Sequence, residues 1–97
     1  MKLRFTLRAI ENLPEINDYI LARSPAGARR VQADIVESLQ TVTLFPKVGR
    51  RQSVAGVRKF VTRKYSYLIY YALDDEADEI IVLSLKHSAR EREHSDI

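Results

Sequence analysis

Between Ser38 and Leu73 the chain carries Lys47, Arg50, Arg51, Arg58, Lys59, Arg63 and Lys64 and not a single aspartate or glutamate. Cations left without local counter-charges suit the capture of an anion, whether a phosphate, a nucleic-acid backbone or an acidic polypeptide. The whole chain has a net charge of only +3, so the remainder is net acidic and the positive field is concentrated on one region. Groups able to move a proton are few. His87 ends the last apolar run and His94 stands in a polar ending. Two histidines without cysteines, and with only the carboxylates of the ending nearby, make a poor metal site. Gly27, Gly49 and Gly56 are isolated from one another, so no phosphate-cradling glycine loop is formed. Neither a metal nor a nucleotide cofactor is expected. Tyr65, Tyr67, Tyr70 and Tyr71 adjoin the basic stretch, and an exposed ring among them would be able to stack on a base. On a strand, Tyr70 faces away from the other three, and Tyr70 and Tyr71 are assigned to the core. Each of these groups also has an ordinary reading. Lysines and arginines often form a solvated face, and His87 with Arg90 would serve equally to close a sheet edge by binding backbone carbonyls.

The elements that position these residues follow from periodicity. Leu3, Phe5 and Leu7 alternate with Lys2, Arg4 and Thr6, the period of a half-buried strand. Ile10, Leu13, Ile16 and Ile20 then recur at helical spacing, with Glu11, Glu15 and Asp18 on the wet side. Proline is tolerated in a first turn and not in a helix interior, so Pro14 predicts a regular helix starting near Asn12. Ser24-Pro25 is a cap followed by a proline at the first helical position. A second helix is predicted from there to about Leu44, carried by Ala28, Val31, Ile35, Leu39 and Val42 and stopped by Pro46 and Gly49. The two helices should pack as an antiparallel hairpin. After a loop from Phe45 to Gly56 come three strands: Val57 to Arg63, the run YSYLIYYAL, and EIIVLSL beyond the acidic turn Asp74 to Asp78. The fold class is α+β: an N-terminal strand, a two-helix hairpin and a three-stranded antiparallel meander covered by the hairpin on one face.

The 97 residues suffice for one domain, taken as residues 1–90, with a polar tail over 91–97. No apolar run approaches the roughly 20 residues needed to cross a bilayer, so no membrane association is expected. The start of the chain lacks the pattern of a secretory signal, and the absence of cysteine rules out disulfides and thiolate nucleophiles. A cytoplasmic location is expected.

Several short pieces, in order, resemble the RelE/ParE superfamily of bacterial type II toxins, and most of all its ParE-type branch. They are Ile16-x-x-Tyr19-Ile20, Ser24-Pro25-Ala26, Phe45-Pro46 followed by Gly49-Arg50, Gly56-Val57-Arg58, Tyr67 to Tyr71, and His87-Ser88-Ala89-Arg90. Each alone is commonplace, while their order and spacing together are specific. The resemblance implies a toxin held silent by a cognate antitoxin, whose acidic, amphipathic C-terminal segment lies over the hairpin and the sheet. It also implies one of two targets: DNA gyrase, inhibited without covalent chemistry, or messenger RNA cut on the ribosome. For the first, Lys47, Arg50, Arg58, Arg63 and Arg90 are candidate contacts to target or antitoxin. For the second, His87 with Arg58 and Arg63 would form the catalytic set, and the basic stretch contains no glutamate to act as base. The ribonuclease members often place an aromatic residue near the C-terminus, whereas here Ser88 follows His87 and the last aromatic is Tyr71. Gyrase inhibition is the leading expectation and ribosome-dependent mRNA cleavage the alternative. A plain nucleic-acid-binding domain fits less well, because the acidic first helix and acidic turn make the protein two-sided. Direct DNA binding is not expected without the antitoxin.

Overall fold

The computed structural model describes residues 1–88. Its elements run β1 (Lys2–Phe5), α1 (Leu7–Leu21), α2 (Pro25–Leu44), β2 (Arg50–Arg51), β3 (Val57–Val61), β4 (Tyr67–Asp74) and β5 (Glu79–His87). The polar tail expected over 91–97, together with Ala89, Arg90 and His94, lies outside the described residues.

Helix α1 begins earlier than the sequence suggested. Thr6 caps it, its hydroxyl accepting from the Ala9 amide at 3.2 Å and donating to the Leu83 carbonyl at 2.8 Å. Pro14 therefore sits inside the helix, where a proline costs about 3 kcal/mol. Packing outweighs it. Ala9 is fully buried, and Leu13, Ile16 and Ile20 lie against the core, so tertiary burial fixes the helix where local propensity would have delayed it. Helix α2 matches expectation at both ends. The Ser24 hydroxyl accepts from the Gly27 amide at 3.0 Å, Pro25 opens the first turn, and Ala28, Val31, Ile35, Leu39 and Val42 are buried.

The sheet has five strands in the order β1-β5-β4-β3-β2. The meander β3-β4-β5 is antiparallel, as predicted, with Phe60 opposite Ile69 and Leu68 opposite Lys86. Two features differ from the sequence reading. Arg50 and Arg51 form a short outer strand pairing Lys59 and Arg58, within the Phe45 to Gly56 stretch expected to be loop. Strand β1 joins the other edge parallel to β5, so the sheet is mixed, because hairpin and meander return β5 beside β1 in the same direction. Beyond the end of β1, side chains take over the edge of β5. Thr6 binds the Leu83 carbonyl and Asn12 Oδ1 accepts from the Leu85 amide at 3.0 Å.

The core follows from strand alternation. Tyr67, Ile69 and Tyr71 of β4 join Ile80, Val82 and Leu85 of β5 beneath the helices. Leu68 and Tyr70 pack with Val57 and Leu83 on the other face. A bulge accommodates both layers: Tyr70 pairs Ser84 and Tyr71 pairs Val82, leaving Leu83 as the extra residue. Tyr70 and Tyr71 are core residues, as assigned, and Tyr67 joins them.

Candidate target-binding site

The cations of the basic stretch fall into two groups at the two ends of β3. Lys47, Arg50, Arg51, Arg58 and Lys59 gather where α2 leads into the outer edge of the sheet. Arg63 and Lys64 occupy the β3–β4 turn, about 16 Å along the strand from Arg58 at the usual rise of roughly 3.3 Å per residue. The single basic region expected from sequence is therefore two patches on one sheet.

The first patch is built on a β-turn. Phe45-Pro46-Lys47-Val48 closes by the Val48 amide donating to the Phe45 carbonyl at 2.9 Å, and proline at the second position presets the turn. The sheet grips this turn from inside. The Tyr71 hydroxyl donates to the Pro46 carbonyl at 2.7 Å and accepts from the Gly49 amide at 2.9 Å. The Arg58 guanidinium donates to the carbonyls of Lys47 at 3.0 Å and Gly49 at 2.9 Å. Arg58, a predicted contact residue, thus spends hydrogen bonds on the fold, while Lys47, Arg50 and Arg51 are exposed. Gly49 is required for contact: a Cβ there would lie 2.7 Å from the Tyr71 hydroxyl. Burial pushes the Tyr71 phenol above its ordinary pKa, opposed by the Gly49 amide and the Arg58 charge, both of which favour the phenolate.

The second patch rests on Asp34. This buried carboxylate of α2 accepts from the amides of Lys64 at 3.3 Å and Tyr65 at 3.0 Å, fixing a turn in which Ser66 has φ of 57°. The turn is closed by the Thr62 amide donating to the Tyr67 carbonyl at 2.8 Å and the Tyr67 amide donating to the Thr62 hydroxyl at 2.9 Å. His87 pairs with Tyr67 across the sheet, their rings edge to face at 5.1 Å between centroids, and the Ser88 amide donates to Ser66 at 3.2 Å. His87 is exposed at the end of β5, at the same end of the sheet as the β3–β4 turn that carries Arg63 and Lys64, while Arg58 stands toward the other end of β3. The residues required for the ribonuclease alternative are therefore not drawn into one cluster. Burial, and then the neighbouring Tyr19, raise the pKa of the Tyr67 phenol.

A third feature is apolar. Phe5, Leu13, Ile16, Ile20, Ile35 and Leu39 line a groove of about 410 Å³ between α1, α2 and β1, extended by a shallower hollow reaching Leu3 and Leu44. Among the described residues, no lysine, arginine or carboxylate lines it.

The residues that hold these patches, Asp34, Gly49 and Tyr71, escaped the sequence reading as site determinants. For Asp34 a signal existed: it sits in the apolar register of α2 between Val31, Ile35 and Ser38, where an acid must be satisfied by something buried.

The model of the ParE toxin of the type II toxin-antitoxin system parDE matches residues 3–92. The chain belongs to the ParE toxin family. A relative from Sinorhizobium fredii, described as "Putative toxin Y4kP", is 30% identical over 82 residues, covering 84% of this chain and 85% of the relative. Among solved structures, the chromosomal ParDE system from P. aeruginosa superposes with a TM-score of 0.77 at 24% identity, over 90% of this chain and 95% of that one. The RelBE2 toxin-antitoxin complex from Mycobacterium tuberculosis gives 0.63 at 27% identity, over 89% and 95%. The intact E. coli RelBE complex gives 0.61 at 18%, over 90% and 95%, which speaks for a shared fold. This ParE-family chain is thus a toxin of the type II class within the RelE/ParE superfamily, and the ParE branch is the one its sequence matches.

Proposed function

We propose that this toxin inhibits DNA gyrase without covalent chemistry, acts in the cytoplasm, and is neutralised by a cognate antitoxin seated in the α1–α2–β1 groove. The observation that carries the non-catalytic reading is the disposition of the acids. Residues 38–73 contain none, and Asp34, which reaches the basic turn from α2, has both carboxylate oxygens committed to backbone amides. Cutting RNA through its 2′-hydroxyl needs a base, a phosphate clamp and an acid close together. Here His87 at the end of β5 and Arg63 in the β3–β4 turn stand at one end of the sheet, and Arg58 is engaged toward the other end of β3. An inhibitor that binds its target needs only a complementary surface.

The groove supports the antitoxin half. Its largely apolar lining suits the apolar face of an amphipathic segment that orders on docking. Toxicity and neutralisation should then separate. Expression of the chain should arrest growth, and co-expressed antitoxin should relieve the arrest. Val36→Arg, which places a charge at the exposed rim of the groove, keeps the arrest and loses the relief. Full neutralisation of that variant would show that the antitoxin sits elsewhere.

A further inference from the structure

The turn Phe45-Pro46-Lys47-Val48 is tied down from beneath, yet its apolar side chains face water: Phe45 is 63% and Val48 45% exposed. Phe45 donates its amide to Thr41 and accepts from Val48; Pro46 accepts from Tyr71, and Lys47 from Arg58. A segment so fully bonded cannot fold these side chains away by a small rearrangement. Apolar groups held rigidly in water contribute little to the fold itself, and rigid presentation lowers the entropy lost on binding. Lys47 stands in the turn, Arg50 and Arg51 follow it, and no ion pair engages these three among the described residues.

We infer that this turn is the surface through which the toxin grips its target, and that the partner presents an acidic protein face with an apolar recess for Phe45 and Val48. The inference rests on the reading of the chain as a toxin with a protein target, and it assigns that target to this turn rather than to the groove. Two observations favour protein over nucleic acid. The amides that would cradle a phosphate at such a turn are already used, Val48 on Phe45 and Gly49 on Tyr71. Phe45 alone would be able to stack on a base, but it is presented together with the aliphatic Val48, and a compact aromatic and aliphatic anchor ringed by charge is the usual core of a protein interface. Charge complementarity supplies the rest. The turn lies within the acid-free stretch, so an acidic face meets cations without opposing carboxylates, and the encounter is accelerated at low salt. Arg58 and Tyr71 enter as positioning residues: they act through the turn.

The test compares Phe45→Ala/Val48→Ser and Lys47→Glu with Arg29→Glu/Arg30→Glu, a charge change on the exposed face of α2. Each full-length variant is checked for an unchanged melting curve and for binding of the cognate antitoxin. Half-inhibitory concentration on purified gyrase holoenzyme and growth arrest in cells are then measured. Both turn variants should need at least tenfold more protein to inhibit gyrase, should arrest growth weakly, and should bind antitoxin within twofold of the parent. The α2 variant should match the parent in all three. Full growth arrest by folded turn variants overturns the inference, as does parallel loss of antitoxin binding. If the parent arrests growth while gyrase is untouched, the gyrase reading fails and the turn is judged by growth alone. A parent that binds a 20-nucleotide RNA or DNA, with the turn variants losing that binding, overturns the protein partner.

Discussion

Replacing Tyr71 by phenylalanine removes one oxygen and tests how the basic turn is held. The hydroxyl donates to the Pro46 carbonyl and accepts from the buried Gly49 amide, and the ring is fully buried in the core. Phenylalanine keeps the packing, so the change isolates two hydrogen bonds, each worth about 1 kcal/mol net. It also leaves the Gly49 N–H without its partner, and the overall loss should be about 2–3 kcal/mol. For a domain near 100 residues, that lowers Tm by roughly 8–24 °C. The exposed Tyr65→Phe is the control and should stay within about 0.5 kcal/mol. Chemical and thermal denaturation of the two variants measure the difference. The phenol also predicts a pH dependence. Its folded pKa is raised, so the neutral form is favoured in the native state. The associated stability is fully present below the unfolded value of about 10 and is lost as pH climbs from there through the raised folded value. Tyr67 contributes in the same sense, so part of the alkaline slope should vanish in Tyr71→Phe. A Tyr71→Phe variant as stable as its Tyr65 control, with an unaltered slope, would refute this account of the turn.

Four further substitutions test the two turns and their surroundings. Gly49→Ala drives a methyl against the Tyr71 ring and should cost about 1–3 kcal/mol as overpacking. Gly56→Ala meets no atom but holds φ of 80° and should cost about 1 kcal/mol; urea titrations of both check the order. Asp34→Asn leaves a single acceptor facing two amides and should lose about 2 kcal/mol, with faster hydrogen exchange at Lys64 and Tyr65 and unchanged exchange at Gly49. His87→Ala, at an exposed position edge-on to Tyr67, should leave gyrase inhibition within about threefold; loss of an RNA-cleaving activity by about 100-fold or more would instead mark His87 as an acid–base catalyst.

The sequence exposed what periodicity and turn chemistry control. Helix α2 was legible at both ends because Ser24-Pro25 is a local start signal and Pro46 with Gly49 a local stop. The meander was legible because β4 and β5 are dense in β-branched and aromatic residues. Helix α1 was misplaced because Pro14 is a strong local signal that a long-range one, the seating of Ala9 and Leu13 on the sheet, overrides. Strand β1 was legible from its alternation, but its parallel partner was not, because a period-2 pattern carries no direction; the two-residue β2 has no pattern of its own and exists only as an edge completed by β3. For the site, composition revealed the cations and missed their arrangement. Arg58 and Arg50 look alike in the chain, yet Arg58 bonds inward to two carbonyls while the Arg50 side chain is exposed. That division depends on Gly49 and Tyr71, 22 residues apart, meeting across the end of the sheet.

The central claim, that this toxin stops gyrase and an antitoxin releases it, is tested by a supercoiling and DNA-cleavage assay with purified gyrase holoenzyme, run beside a ribosome-coupled mRNA control. The account predicts lost supercoiling or accumulated cleaved DNA, restored by stoichiometric antitoxin, and intact mRNA. Unimpaired gyrase together with cut mRNA would contradict it and would turn His87, Arg58 and Arg63 from a scattered set into the residues to explain.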